Sequence, residues 1–189
     1  MQQIKSYLEQ IANISEKDWD FFTSKLKREV IPKKTIFLKQ NTVEDHISFI
    51  ESGVVRLYIP KEDTDKDITF GFSFKNQFIS AYDSFLTRKP SIYQLQALTE
   101  TTVLTINYND LQEVYNDTQI GNLIGRLTAE RLFLLKSKRE QYLLNLNAEE
   151  RYLKLFKERP ELLKVIPLKY ISSYIGVTPQ ALSRIRKRL

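Results

Sequence analysis

The last 22 residues, LKYISSYIGVTPQALSRIRKRL from Leu168 onward, constrain the fold more tightly than any other stretch. Ile171 and Ile175 stand four apart, the spacing that buries one stripe of a helix. Gly176 follows and supplies the left-handed conformation that ends a helix at least steric cost, with Val177 placed to plug the turn. Ser172 is small where a second helix would cross the first. Thr178 is a good N-cap, and Pro179 falls at the first helical position, where its missing N–H costs nothing. Leu182 and Ile185 then face inward, which leaves Gln180, Ser183, Arg184 and Lys187 on one outward face, flanked by Arg186 and Arg188. The spacing predicts a helix-turn-helix whose second helix can bond base edges and phosphates from one side.

Charge points the same way. Residues 1–147 carry 19 basic and 19 acidic side chains, whereas residues 148–189 carry 10 and 4, so the whole net charge of +6 sits at the C-terminal end. A basic segment on a neutral body suits a polyanion partner. The remaining 42% hydrophobic and 12% aromatic composition is that of a globular chain, and 189 residues suffice for one large domain or two small ones. With no Cys, disulfides, thiolate zinc sites, iron–sulfur clusters and cysteine nucleophiles are excluded, and His46 alone cannot build a catalytic arrangement that needs two imidazoles. No nucleophile, base and orienting group form a coherent set, and no Gly-rich phosphate loop is present. The chain is therefore not expected to be an enzyme or to hold a metal or cofactor. No apolar run reaches the roughly 18 residues of a membrane helix, and no secretory signal opens the sequence, so a cytoplasmic location is expected.

Hydrophobic period divides the rest. Ile4, Leu8 and Ile11, then Trp19, Phe22 and Leu26, predict two short N-terminal helices, the second started at Ser15 by a Ser-x-x-acid signal. From Val30 to about Asn107 the period becomes two: Ile68, Phe70, Phe72 and Phe74 share a face, and Val103, Thr105 and Asn107 oppose Thr102, Leu104 and Ile106. Ile47 to Ile59 predicts two strands joined in a hairpin around Gly53, and Lys61 to Lys66 an exposed loop. A run of short strands of this length favours a sandwich or barrel. From about Thr118 a helix of nearly 25 residues is predicted, with Ile120, Ile124, Leu127 and Leu134 on one stripe and Leu123, Leu132, Phe133 and Leu135 widening it. That apolar coverage suggests a second subunit, and burial within one monomer is the alternative. Gly121 and Gly125 permit close backbone approach. Asn145 or Asn147 can cap the helix that follows, near Glu149 to Glu158.

The stretches HISFIESGVVRLY, FGFSFKNQFISAYDSFLTRKPS, AEERYLKLF and IPLKYISSYIGVTPQALSRIRKRL resemble, respectively, the β-roll hairpin, the phosphate cassette, the helix after the dimer helix and the DNA reader of the Crp/Fnr family of bacterial transcription regulators. The resemblance implies an α+β chain: an antiparallel, cyclic-nucleotide-binding-like β-roll with flanking helices at residues 1–117, a dimerisation helix at 118–145, and a helix-turn-helix at 146–189 without a full wing. It implies a homodimer on double-stranded DNA, touching backbone through Lys169 and Thr178 and bases through Gln180 and Arg184, with Ser183 and Lys187 on the same face. Ile120, Leu123, Ile124, Leu127 and Leu134 are the expected dimer contacts. RNA polymerase and an unidentified small molecule are further partners it allows.

The cassette departs from the family pattern. Cyclic-AMP-binding members carry Gly-Glu and Arg-Ser or Arg-Thr there, where this chain has Ser80-Ala81 and Ser91-Ile92. Phe78, Ser80, Ala81, Tyr82, Arg88, Lys89 and Ser91 are the expected pocket residues, with Arg88 or Lys89 able to reach a phosphate if the loop is short and otherwise loop-tip charges. Cyclic AMP is expected to bind weakly or not at all, so the cassette takes another ligand or none. Pro179 and Gln180 stand where arginine and glutamate are frequent in the family, so a different operator is expected. The alternative is a ligand-sensing or protein-docking β-roll without specific DNA binding; the polar, basic outward face of the last helix argues against it.

Overall fold

A computed structural model of the chain describes residues 1–119, 121–158, 160 and 162–188. The elements run α1 (Gln2–Glu9), α2 (Glu16–Ser24), β1 (Lys27–Ile31), β2 (Ile36–Leu38), β3 (His46–Ser52), β4 (Val54–Ile59), β5 (Ile68–Phe74), β6 (Phe78–Ile79), α3 (Tyr82–Thr87), β7 (Gln94–Ala97), β8 (Thr101–Asn107), α4 (Tyr108–Asp117), α5 (Gly121–Asn145), α6 (Ala148–Glu158), α7 (Leu162–Val165), α8 (Leu168–Ile175) and α9 (Pro179–Arg188). Two compact units result, residues 1–57 with 72–131 and residues 58–71 with 132–189.

The strands form two four-stranded sheets, ordered β1-β8-β3-β6 and β2-β7-β4-β5. β8 is the spine of the first. It pairs antiparallel with β1 from Lys27↔Thr105 to Ile31↔Thr101 and with β3 from His46↔Asn107 onward. Both its faces are covered, so Thr101 to Ile106 are all buried and the alternating pattern read from the sequence does not produce an exposed face. The fold class is α+β with an antiparallel roll, as expected.

The predicted hairpin at Gly53 is not formed. β3 and β4 lie in different sheets, and Gly53, at φ +102°, turns the chain from one to the other. A Cβ there would lie 2.5 Å from Thr101 Oγ1 and 2.7 Å from the Glu100 carbonyl oxygen, so glycine is required by space as well as by backbone angle. β5 also differs from its reading: Thr69 is the buried residue and Ile68 the exposed one. Lys61 to Lys66 is exposed as expected, with one turn of 3-10 helix at Thr64–Lys66.

The N-terminal helices complete the core of the first unit. Asp18 N–H donates to Ser15 Oγ at 3.1 Å, the predicted cap, and Ile4 and Leu8 join Phe49 and Leu104 in one buried cluster. Tyr7, Phe49 and Phe78 meet there in tilted and edge-on ring contacts 5.2–5.6 Å apart. A second cluster, Phe85, Ile106, Leu111 and Val114, lies under α3 and α4. Asn107 caps α4, its side chain accepting from Asp110 N–H at 2.8 Å.

Thr118 stands just before the long helix, its Oγ1 donating to the Val114 carbonyl and accepting from Gly121 N–H. Its glycines do allow a close approach, and the neighbour is α4 of the same chain. A Cβ on Gly121 would sit 2.3 Å from the Val114 carbonyl oxygen, and one on Gly125 2.9 Å from the Tyr115 ring. Among the described residues no helix is long and apolar enough to cross a membrane.

Candidate nucleic-acid interface

In α8, Ile171, Ser172 and Ile175 are buried, and in α9 Leu182 and Ile185 meet them. Burying each large aliphatic side chain contributes about 1.5–3 kcal/mol. Gly176 takes φ +77° and closes a Schellman motif, with Val177 N–H donating to the Ser172 carbonyl and Gly176 N–H to that of Ser173. Thr178 Oγ1 accepts from Ala181 N–H at 3.2 Å, which caps the helix that Pro179 opens. With the inward positions filled, Gln180, Ser183, Arg184 and Lys187 are exposed together with Arg186 and Arg188. Arg186, Lys187 and Arg188 occupy the last turn, where the helix dipole favours cations. Arg188 pairs with Glu149 at 3.1 Å. Lys169 and Thr178, the expected backbone contacts, are also exposed.

Two arginines that no sequence signal singled out hold the first helix of this pair. Arg139, on α5, donates to the Tyr174 carbonyl at 2.9 Å with its guanidinium 3.7 Å from the Tyr174 ring. Arg151, on α6, donates from Nε to the Ile175 carbonyl at 2.8 Å and also to the Leu146 carbonyl. Both cations thus cover the carbonyl end of α8, the negative end of its dipole. Burial lowers the Arg139 pKa despite those bonds. Asn147, one of the two expected caps, forms a reciprocal capping box with Glu150 at the start of α6.

The expected pocket residues are engaged by different neighbours. Phe78 is packed among Tyr7 and Phe49. Ser80 Oγ donates to the His46 carbonyl, Ala81 is fully buried, and Ser91 is buried with its hydroxyl donating to the Tyr93 carbonyl. Arg88 is not a loose loop-tip charge. It ends α3 at φ +56° and donates to the carbonyls of Glu44 and Phe85 and to Asp45 at 2.5 Å, with the Tyr108 ring 4.3 Å from its guanidinium. Lys89 is exposed. Tyr82 lines an open cleft of about 310 Å³ with Tyr115, Asn122, Gly125, Arg126 and Ala129. Burial pushes the Tyr115 phenol up to about 12.

The buried acid Glu44, absent from the expected set, organises this region. Its carboxylate accepts from His46 N–H at 3.0 Å and Ala81 N–H at 3.3 Å, while its own N–H donates to Ser84 Oγ. Burial pushes its pKa up, against those two donors.

Of the expected dimer contacts, Leu123 and Leu134 are exposed and Leu127 is half-buried. Ile124 turns inward instead and packs on the Ile4, Leu8, Phe49 and Leu104 cluster, because it lies about 100° around the helix from Leu123. Ile120 lies outside the described residues.

Residues 28–118 match the cyclic nucleotide-binding domain family. FixK2 from Bradyrhizobium japonicum superposes with a TM-score of 0.70 at 18% identity, over 87% of this chain and 84% of that one. The c-di-GMP-responsive global regulator CLP from Xanthomonas campestris gives 0.69 at 15%, over 92% and 91%. The chain has the Crp/Fnr fold. The Thermus thermophilus catabolite activator protein gives 0.58 at 17% identity, over 95% and 85%. No curated protein matches the sequence significantly. Within the matched stretch the Ala81 N–H is engaged by Glu44, and Arg88 by the Glu44 and Phe85 carbonyls and Asp45.

Proposed function

We propose that this protein is a homodimeric, sequence-specific DNA-binding transcription regulator of the Crp/Fnr type, acting in the cytoplasm. The observation that carries the reading is the pairing of a buried row, Leu182 and Ile185, with an exposed row of Gln180, Ser183, Arg184 and Lys187 on one ten-residue helix. Arg184 can donate two bonds to the O6 and N7 of a guanine, and Gln180 can bond an adenine, while Lys169, Thr178 and Lys187 neutralise or bond phosphates. Residues 146–189 are the DNA-binding part, 1–117 the sensing part and 118–145 the dimerisation helix. RNA polymerase is the natural further partner of such a regulator. The β-roll senses an unidentified signal that is not cyclic AMP.

Dimerisation is supported by the apolar side chains that α5 leaves exposed, above all Phe133, Leu134 and Leu144. Leu123, Leu127 and Leu134 fall within about 40° of one another around the helix, a seam that a second copy covers. Two recognition helices must also be held about 34 Å apart to reach successive major grooves. Sedimentation tests this. Micromolar protein is expected to run at twice 22.3 kDa, and Leu134→Glu to return it to the monomer without unfolding, since Leu134 is 66% exposed in the single chain. A wild-type protein that runs at 22.3 kDa alone and on DNA sinks the reading.

A further inference from the structure

We infer that the acidic turn between β4 and β5 is a built-in latch that competes with the DNA backbone for the first helix of the helix-turn-helix. The inference rests on the DNA-binding reading above and concerns the regulation of that site. The turn, Lys61 to Asp67, holds four acidic and two basic residues. It is stiffened from within: Lys61 N–H donates to Asp67 Oδ1, Asp65 N–H to Asp63 Oδ1, and Lys66 pairs with Asp63. What it presents outward is the Asp65 carboxylate, 3.9 Å from Lys169 Nζ. One helical turn further along α8, Ser173 Oγ donates to the Asp67 carbonyl at 2.7 Å and accepts from Thr69 N–H at 2.9 Å.

These contacts share a physical cause. β5 ends its sheet, and α8 meets its outer edge at Asp67 and Thr69 with one hydroxyl acting as donor and acceptor together. Lys169 and Ser173, four apart, lie on the same face of α8. Lys136 reaches the same strand, its ammonium 5.5 Å from the Phe70 ring. A carboxylate beside Lys169 stands where a phosphate would bind that ammonium, and phosphate and carboxylate repel. DNA that takes Lys169 must therefore displace the turn, and the apparent affinity falls by the fraction of molecules in which the turn is docked. An exposed ion pair and one hydroxyl are weak enough to be released.

The test uses the full chain and a labelled mixed-sequence duplex of about 30 base pairs, read by anisotropy from about 50 mM salt upward. Ser173→Ala removes both hydroxyl bonds without changing charge, Asp65→Asn removes the ion pair, and Glu62→Gln is the charge control, an acid of the same turn outside the contact. The latch expects the Asp65→Asn/Ser173→Ala protein to bind about fivefold tighter than wild type, with the Ser173→Ala share persisting at higher salt and Glu62→Gln gaining less than Asp65→Asn. Hydrogen exchange gives a second readout: the Thr69 amide is expected to be protected in the free protein and to lose protection when duplex is added. Unchanged or weaker binding by the double variant overturns the latch, as does a Thr69 amide that stays protected on DNA, and in both cases the DNA-binding reading stands. If the wild type binds no duplex at low salt, the DNA-binding reading fails and the latch with it.

Discussion

The helix-turn-helix and the cassette differ in how far apart in the chain their determinants lie. In the former, the buried positions, the left-handed glycine, the cap and the outward polar face all fall between Leu168 and Arg188, and each is set by helix geometry and a neighbour within one or two turns. In the cassette, Ser80, Ala81 and Arg88 have their fates decided by His46 and Glu44, partners 34 to 44 residues away. A short motif thus declares its chemistry in sequence when its geometry is local. When its chemistry depends on what another strand brings, the same density of polar residues declares little.

That contrast can be broken first at the core of the helix-turn-helix. Leu182→Ala empties a site that is 1% exposed and is expected to cost about 2–5 kcal/mol in the helix-turn-helix, measured by chemical denaturation, with loss of the proposed DNA binding. Lys89→Ala, at an exposed cassette position, is expected to change stability by less than about 0.5 kcal/mol. Equal losses from the two would end the distinction.

Arg184→Ala sharpens it. Losing a bidentate arginine–guanine pair costs about 1–3 kcal/mol at one base position of each half-site, so selectivity there should flatten. Lys187→Ala should weaken binding to every sequence and lower the slope of log K against log salt by about one per lost contact. If both variants lose affinity uniformly, α9 is a polyanion anchor without base reading.

The smallest effect belongs to Glu44. Burial raises its folded pKa above the ordinary 4.5, so the folded protein holds this proton more tightly than the unfolded chain. The stabilisation is fully present below pH 4.5 and is lost as pH rises through the raised folded value. Wild type is therefore expected to gain stability relative to Glu44→Gln as pH falls from 7 towards 4.5, read as a widening difference between their urea midpoints. A pH-independent difference would mean that the carboxyl titrates normally.

The same locality explains which elements could be read in advance. The two N-terminal helices, the Ser15 cap, the exposed turn at Lys61, the helix-turn-helix and the long helix follow from period and capping alone. Gly53 shows the boundary: positive φ can be inferred from one residue, but whether it closes a hairpin or carries the chain between sheets depends on which strands pair, and that is set by β8, some fifty residues on. Ile124 and Leu123 are adjacent aliphatic residues on one helix, and only the position of the Phe49 cluster decides which faces inward. Gly121 and Gly125 announced a close approach without naming α4 as the neighbour. Arg139 and Arg151 look like two more surface cations until the carbonyl end of α8 is placed beside them.

The measurement that tests the central claim most directly is selection of bound sequences from a random duplex pool by the full-length protein. A two-fold repeated motif is expected, its half-site centres about 10–10.5 base pairs apart, with a preferred guanine at the position that Arg184→Ala relaxes. A pool that shows no enriched sequence, or a single unrepeated site, would contradict a dimeric base-reading regulator.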